Sequence, residues 1–160
     1  MAETTEPTLH IVLHQPEIPQ NTGNIGRTCV ALGAKLWLVR PLGFRLDETH
    51  LRRAGLDYWD HLDWECTDNW DSLTERLVGR RFWFFTRRAT DYYADATYTS
   101  GNVLVFGNES QGLSTGFLAK HSFGNLRIPT SSLVRSLNLS NAVALVAYEA
   151  ARQNGFFKLA

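Results

Sequence analysis

An α/β fold, a parallel sheet flanked by helices, is what the 160-residue sequence predicts, and three observations carry that expectation. Phe82 to Phe85 and Val103 to Phe106 are apolar without alternation, the pattern of strands covered on both faces. Strand-like and helix-like segments take turns along the chain, as they do where helical crossovers join parallel strands. The long segment from about Asn138 to Asn154 repeats Leu139, Ala142, Val143, Val146, Ala147 and Ala150 at helical spacing, and Gly155 closes it.

Each element has a local cause. Residues 1–8 are polar, lack the basic and apolar regions of a secretory signal, and read as a flexible tail before a single domain, residues 9–160. Leu9 to Leu13 predicts the first strand, followed by a loop punctuated by Pro16 and Pro19. Asn21-Thr22 offers a cap for a helix whose Ile25, Cys29 and Leu32 share an apolar face and which stops at Gly33. Leu36 to Val39 predicts a second strand ending in the turn Pro41-Leu42-Gly43, and Asp47 can cap a short helix reaching Gly55. A further helix from about Asn69 to Val78 is closed by Gly79, and Leu126 to Ile128 predicts a last short strand.

Composition narrows the function classes. Sixteen Lys and Arg balance sixteen Asp and Glu, which excludes a uniformly basic coat for nucleic acid. The balance is uneven, because Asp57 to Glu75 holds seven acids and no Lys or Arg, leaving +7 on the remainder. Thirteen of the sixteen basic residues are Arg, whose planar fork suits phosphate. Clusters stand at Arg40, Arg45, Arg52, Arg53 and at Arg76, Arg80, Arg81, Arg87, Arg88, and a solvated surface accounts for them as well as a binding patch does. No apolar run approaches the roughly 18 residues that span a bilayer, so no membrane partner is expected. Cys29 and Cys66 form no CxxC pair, which disfavours a disulfide scaffold and a thiolate zinc site and makes a cytoplasmic location the expectation.

Ligands of open α/β sheets collect outside the carboxyl ends of the strands, and three loops there hold unusual chemistry. The segment Pro16 to Thr28 places glycines and amides where backbone can approach a ligand, with Arg27 one turn into the helix, and it is neither GxGxxG nor a P-loop. Gly107-Asn108-Glu109-Ser110-Gln111-Gly112-Leu113 sets a carboxylate between two glycines at a strand's end, placed to hold a cation, a hydroxyl or an Arg. Ile128 to Asn141 carries more hydroxyls than helix capping by Ser140 or Asn138 requires. Taken singly, a turn like the first is more often a structural turn and cap than a site, and the second fits a strand-exit turn as well as a site. His10 and His14 share a strand face with no third ligand at metal spacing, so no metal is expected. No GxSxG, HExxH or nucleophilic Cys with a His partner is present.

In order and content these loops resemble the three motifs of the SPOUT superfamily, the trefoil-knotted, S-adenosylmethionine-dependent RNA methyltransferases. The resemblance runs from about Leu9 to Phe157 and is closest to the small branch that 2′-O-methylates the wobble nucleotide of tRNA, position 34, a cytidine or 5-substituted uridine. It rests on PEIPQNTGNIGRTC, RRAGLDYW, FGNESQGL and RSLNLSNAVALVAYEA. It implies a deep C-terminal trefoil knot, S-adenosylmethionine as cofactor, the anticodon stem-loop of tRNA as partner, and a homodimer through the first and last helices. Ala142, Ala144, Ala147, Ala150 and Ala151 would allow close approach of the last helix, although packing on its own sheet would use many of them.

By the same resemblance, Phe85, Gly107, Ile128, Ser136 and Leu137 line the cofactor pocket. Asn21, Arg27, Glu109, Ser136, Asn138 and Tyr148 form the catalytic set, and Arg52, Arg53 and Arg135 meet the substrate. Because guanidinium stays protonated, Arg27 is expected to grip a phosphate or the developing oxyanion, with Glu109 orienting Arg27 or the ribose. Gln111 stands where the branch commonly has Arg, which removes a phosphate contact. Two alternatives stand beside this reading. One is 2′-O-methylation of another tRNA position or of ribosomal RNA, and RRAGLDYW favours the wobble branch over it. The other is a non-catalytic RNA- or nucleotide-binding module, against which the intact set of Asn21, Arg27, Glu109, Ser136 and Asn138 argues.

Overall fold

The computed structural model describes residues 5–47 and 56–160. Its elements run β1 (His10–His14), α1 (Pro19–Leu32), β2 (Lys35–Val39), β3 (Trp64–Thr67), α2 (Trp70–Arg76), β4 (Phe82–Phe85), β5 (Asp91–Tyr92), β6 (Val103–Phe106), α3 (Thr115–Lys120), β7 (Asn125–Arg127) and α4 (Leu139–Gln153). The strands form one sheet in the order β3-β2-β1-β6-β4-β7-β5, every pairing parallel. Parallel pairing brings all the strands' carboxyl ends to one edge, so the loops that leave them meet there.

The expected unbroken apolar strands occupy the middle of the sheet. β6 pairs with β1 on one side and β4 on the other, and all four of its residues are buried. Alternation splits the side chains between two cores. Ile11, Leu13, Phe85, Leu104 and Phe106 face α1 and α4, where Ile25, Cys29, Leu32, Val143, Val146, Ala147, Ala150 and Ala151 complete the packing. Val12, Trp37, Val39, Phe84, Val103 and Val105 face the other side, closed by Leu73, Leu77, Leu113 and Leu118. Burial pushes the Cys29 thiol far above its ordinary pKa, so this cysteine is an apolar core group.

Helix ends follow local chemistry with one exception. Gly33 ends α1 at φ 67, a left-handed conformation that glycine adopts without a Cβ clash. Asn69 caps α2 by accepting from the Ser72 amide at 2.8 Å, and Asn138 caps α4 by accepting from Ser140 and Asn141. The exception is α1, which begins at Pro19 and takes Asn21 and Thr22 inside as buried residues. Proline suits the first helical position, and Ile18 at the cap supplies no side-chain acceptor.

Four further differences from the sequence reading have physical causes. β3, β5 and α3 have no apolar run or helical period long enough to signal them, being four, two and six residues long. Thr8 belongs to the fold rather than to a tail, since its amide donates to Gly33 and its carbonyl accepts from Gly101. Part of the acidic window is neutralised locally, with Glu65 held by Lys35 and by both Nη atoms of Arg76 at 2.6 and 2.9 Å. Ala147, Ala150 and Ala151 are fully buried within the chain's own core, so they are not available for close approach to another helix. The short helix expected between Asp47 and Gly55 lies outside the described residues.

Candidate active site

Beyond the carboxyl ends of β4, β6 and β7, the chain encloses a cavity of about 430 Å³. All three loops singled out in the sequence line it: Ile18 and Asn21 from the first, Gly107 to Leu113 from the second, and Ile128, Thr130 and Arg135 to Leu139 from the third. Phe85 and Phe106 stack at its base with centroids 4.7 Å apart and planes 12° from parallel. Gly107 turns the chain so tightly that a Cβ there would lie 2.0 Å from the Gly112 carbonyl carbon. The wall at this point is backbone, with no side chain interposed. Such a slot, aromatic below and amide-lined beside, accepts a flat heteroaromatic ring and can hydrogen-bond its edge.

A chain of amides and carboxylates binds the three loops together. Glu109 accepts from the Glu17 and Ile18 amides at 2.8 and 3.0 Å and from Asn21 Nδ2 at 3.4 Å. Its carboxylate thus supplies the acceptor that Ile18 lacks at the start of α1, where negative charge also complements the helix dipole. Glu17 returns the interaction, its Oε1 accepting from the Ser110 amide at 3.1 Å and from Ser110 Oγ at 2.6 Å. Asn138 donates to Asn21 Oδ1 at 3.1 Å, and Arg135 donates from Nη2 to the Ser110 carbonyl.

Phe85, Gly107, Ile128, Ser136, Leu137, Asn21, Glu109, Asn138 and Arg135 all line this cavity. Gln111 does so too, its amide donating to Asn108 Oδ1 at 2.9 Å. Two residues of the expected catalytic set do not. Arg27 is six positions beyond Asn21, about 240° further round the helix, and lies exposed with its guanidinium 5.0 Å from the Tyr58 ring centre. Tyr148 is 45% exposed on α4 and also sits outside the cavity lining. Within the chain Glu109 therefore orients the first loop and Asn21, and Arg27 is oriented by Tyr58, whose hydroxyl is anchored on the Gly23 carbonyl. Arg52 and Arg53 lie outside the described residues.

Sequence reasoning missed Glu17, Thr86, Arg87 and Arg88. The last three line the cavity, and they follow an apolar strand directly, a signal the sequence held. The exchange in which the Glu17 amide donates to Glu109 and the Glu17 carboxylate accepts from Ser110 joins residues 92 and 93 positions apart, and no local pattern encodes it. His10 and His14 are absorbed by aromatic packing. His10 accepts from Trp37 Nε1 at 3.0 Å, and the His14 ring lies 4.8 Å from that of Phe117.

Comparison with known proteins extends this geometry. The pattern of the SpoU rRNA Methylase family matches residues 8–148. A tRNA (cytidine(34)-2′-O)-methyltransferase of Saccharophagus degradans is 45% identical over 148 residues, 92% of this chain and 96% of that protein. A structure solved for insight into 2-OH methylation of C/U34 on tRNA superposes with a TM-score of 0.87 at 49% identity, covering 92% of this chain and 96% of the other. An AdoMet-bound rRNA methyltransferase from Sinorhizobium meliloti gives a TM-score of 0.82 at 26% identity, covering 98% of this chain and 59% of that one. In sequence over most of its length and in the fold that carries the cavity, this chain belongs to the SpoU rRNA methylase family.

Proposed function

We propose that this protein transfers the methyl group of S-adenosylmethionine to the ribose 2′-oxygen of nucleotide 34 of tRNA. The observation that carries the reading is the convergence of three loops on one cavity with an aromatic base, a backbone wall at Gly107 and three arginines around it, Arg87, Arg88 and Arg135. Family membership, together with the 45% and 49% identical relatives named for position 34, supports this substrate above other RNA positions.

The residues present fit the cofactor. Phe85, Phe106, Ile128 and Leu137 offer apolar contact to an adenine ring, and the close approach of the loop at Gly107 leaves backbone groups free to meet its edge. When bound, S-adenosylmethionine supplies an electrophilic sulfonium methyl group. The chain's own task is then positioning and charge handling, since in-line transfer needs no covalent enzyme intermediate. Asn21, held by Glu109 and Asn138, presents a fixed amide at the cavity, and Ser136 adds a hydroxyl. We assign Arg27 to a phosphate or to the developing oxyanion, because a permanently protonated guanidinium serves as a clamp and not as a base.

Arg27 and Tyr148 are exposed outside the cavity of their own chain, on α1 and α4. A homodimer through these helices is the arrangement that would bring them to a site, and Leu145 and Tyr148, 40% and 45% exposed, give that face its apolar contacts. We read the segment through α4, which packs on α1, as the superfamily's trefoil knot, and the cytoplasm as the place of action. No helix among the described residues is long and apolar enough to cross a membrane.

Incubation with methyl-labelled cofactor and total tRNA, followed by mapping of the modified nucleotide, tests the assignment. Label at the 2′-oxygen of nucleotide 34 is expected. Label at another tRNA position, or only in ribosomal RNA, replaces the substrate, and cofactor binding without any transfer replaces the enzyme by a binding module.

A further inference from the structure

A second cavity, of about 420 Å³, shares no lining residue with the first. Trp70, Phe82, Phe84, His121 and Phe123 wall it, and Arg80, Arg81 and Lys120 supply its charge. Its position follows from the pleat of β4. Phe85 points into the core beneath the first cavity, whereas Phe82 and Phe84 point to the opposite face of the sheet. The two cavities therefore lie on opposite sides of one strand.

Charge is the first distinguishing feature. Among the described residues three permanent cations line the second cavity and no carboxylate does, in a chain whose overall charge is zero. Arg80 is steadied by Glu6 at 3.0 Å, a carboxylate outside the lining whose side chain is 79% exposed. Arg81 lies over the Trp83 ring at 4.1 Å, on the face of β4 that carries Trp83 and Phe85, so the charge turned toward the second cavity is that of Arg80 and Lys120. These are the arginines, just before β4, that the cofactor cavity leaves unused.

Flat rings are the second feature. His121 stacks on Phe84 with centroids 5.1 Å apart and planes 16° from parallel, and Trp70 meets His121 edge-on at 5.3 Å. Phe123, 81% exposed, leaves an apolar face in water beside them. Cations for phosphate beside an aromatic platform for an unstacked base are the two components of recognition of unpaired nucleotides. Cations alone would serve any polyanion, and the exposed ring is what selects a nucleotide.

We propose that this cavity binds a nucleotide of the RNA substrate other than the one methylated, with Lys120 on its phosphate and Phe123 against its base. The inference rests on the RNA methyltransferase reading. Because the cavities occupy opposite faces of β4, one nucleotide cannot fill both, and the RNA must pass round the sheet from the target ribose to a second anchoring point.

Fluorescence anisotropy with labelled tRNA, repeated over a range of salt, tests this with Lys120→Ala and, separately, Phe123→Ala. Both side chains are exposed, and binding of S-adenosylmethionine at the parent affinity verifies that each variant is folded. Lys120→Ala should weaken tRNA binding about fivefold and flatten the slope of log affinity against log salt by roughly 0.8, the loss of one phosphate contact. Phe123→Ala should weaken binding about tenfold with the salt slope unchanged, because stacking is uncharged. Parent-level tRNA affinity in both variants overturns the subsite and leaves the methyltransferase reading standing. Failure of the parent protein itself to bind tRNA overturns both.

Discussion

Asn138 Nδ2 donates to Asn21 Oδ1 at 3.1 Å, joining the cap of the last helix to the first turn of α1. The direction of the bond is fixed by its surroundings. Asn138 Oδ1 accepts from the Ser140 and Asn141 amides and from Ser140 Oγ, so only its NH₂ can face Asn21. Asn21 must then accept there, which turns its own NH₂ toward the Glu109 carboxylate. One helix cap thereby sets the orientation of a side chain in the cavity.

Replacement of Asn138 by Asp separates the two roles. Asp retains an oxygen for the cap and places negative charge at a helix N-terminus, so the melting temperature of Asn138→Asp should stay within a few degrees of the parent. It cannot donate to Asn21, and methyl transfer should fall by about 10²-fold, the scale seen when a positioning contact is lost. Thermal unfolding and single-turnover assays read the two effects. Parent-level transfer would sink the positioning role.

Gly107 and Gly116 form a contrasting pair. A methyl group at Gly107 meets the Gly112 backbone at 2.0 Å, whereas one at Gly116, inside α3, meets nothing within 4 Å. Gly107→Ala should lose cofactor binding by calorimetry. Gly116→Ala should bind normally and be stabilised by up to about 1 kcal/mol, the helix preference of alanine over glycine. Normal cofactor binding by Gly107→Ala would mean that the cradle yields.

Arg27 lies outside the cofactor cavity of its own chain, so Arg27→Lys should keep the parent affinity for S-adenosylmethionine. Lysine preserves charge but not the planar fork, and turnover should fall at least about tenfold. Near-normal turnover with unchanged tRNA affinity would show that the fork is not needed.

His10 makes stability pH-dependent. Burial, and secondarily the charges of Arg80 and Lys35, lowers its pKa from 6.5 to about 4. The unfolded chain takes up the proton first as pH falls. Stability is thus intact above pH 6.5, declines between 6.5 and 4, and is flat in this respect below 4. The loss across that window is about 3 kcal/mol, at roughly 1.4 kcal/mol per pKa unit. Urea unfolding at pH 7.5, 5.5 and 4 should show the decline, and His10→Gln should make it shallower. An equally steep decline in the variant would assign the proton to His14 or His121, both also lowered by burial.

The elements legible in the sequence are those whose causes are local. The unbroken apolar run Val103 to Phe106 suits a strand covered on both faces, and it lies at the centre of the sheet. Asn69 and Asn138 cap because a short amide side chain reaches amides two or three residues on, and Gly33 ends α1 because it tolerates positive φ. β3 and β5, at the two edges of the sheet, escaped notice because neither carries an apolar run. The site motifs were legible as a resemblance. Tertiary contacts, by contrast, place β6 beside β1, set Glu109 on the start of α1 in place of Arg27, and leave Arg27 and Tyr148 outside the cavity. The reason is the same for each. Strand order, a carboxylate's choice of partner and the direction a helical side chain faces depend on contacts between residues distant in sequence. Packing the whole sheet settles them, and local spacing does not.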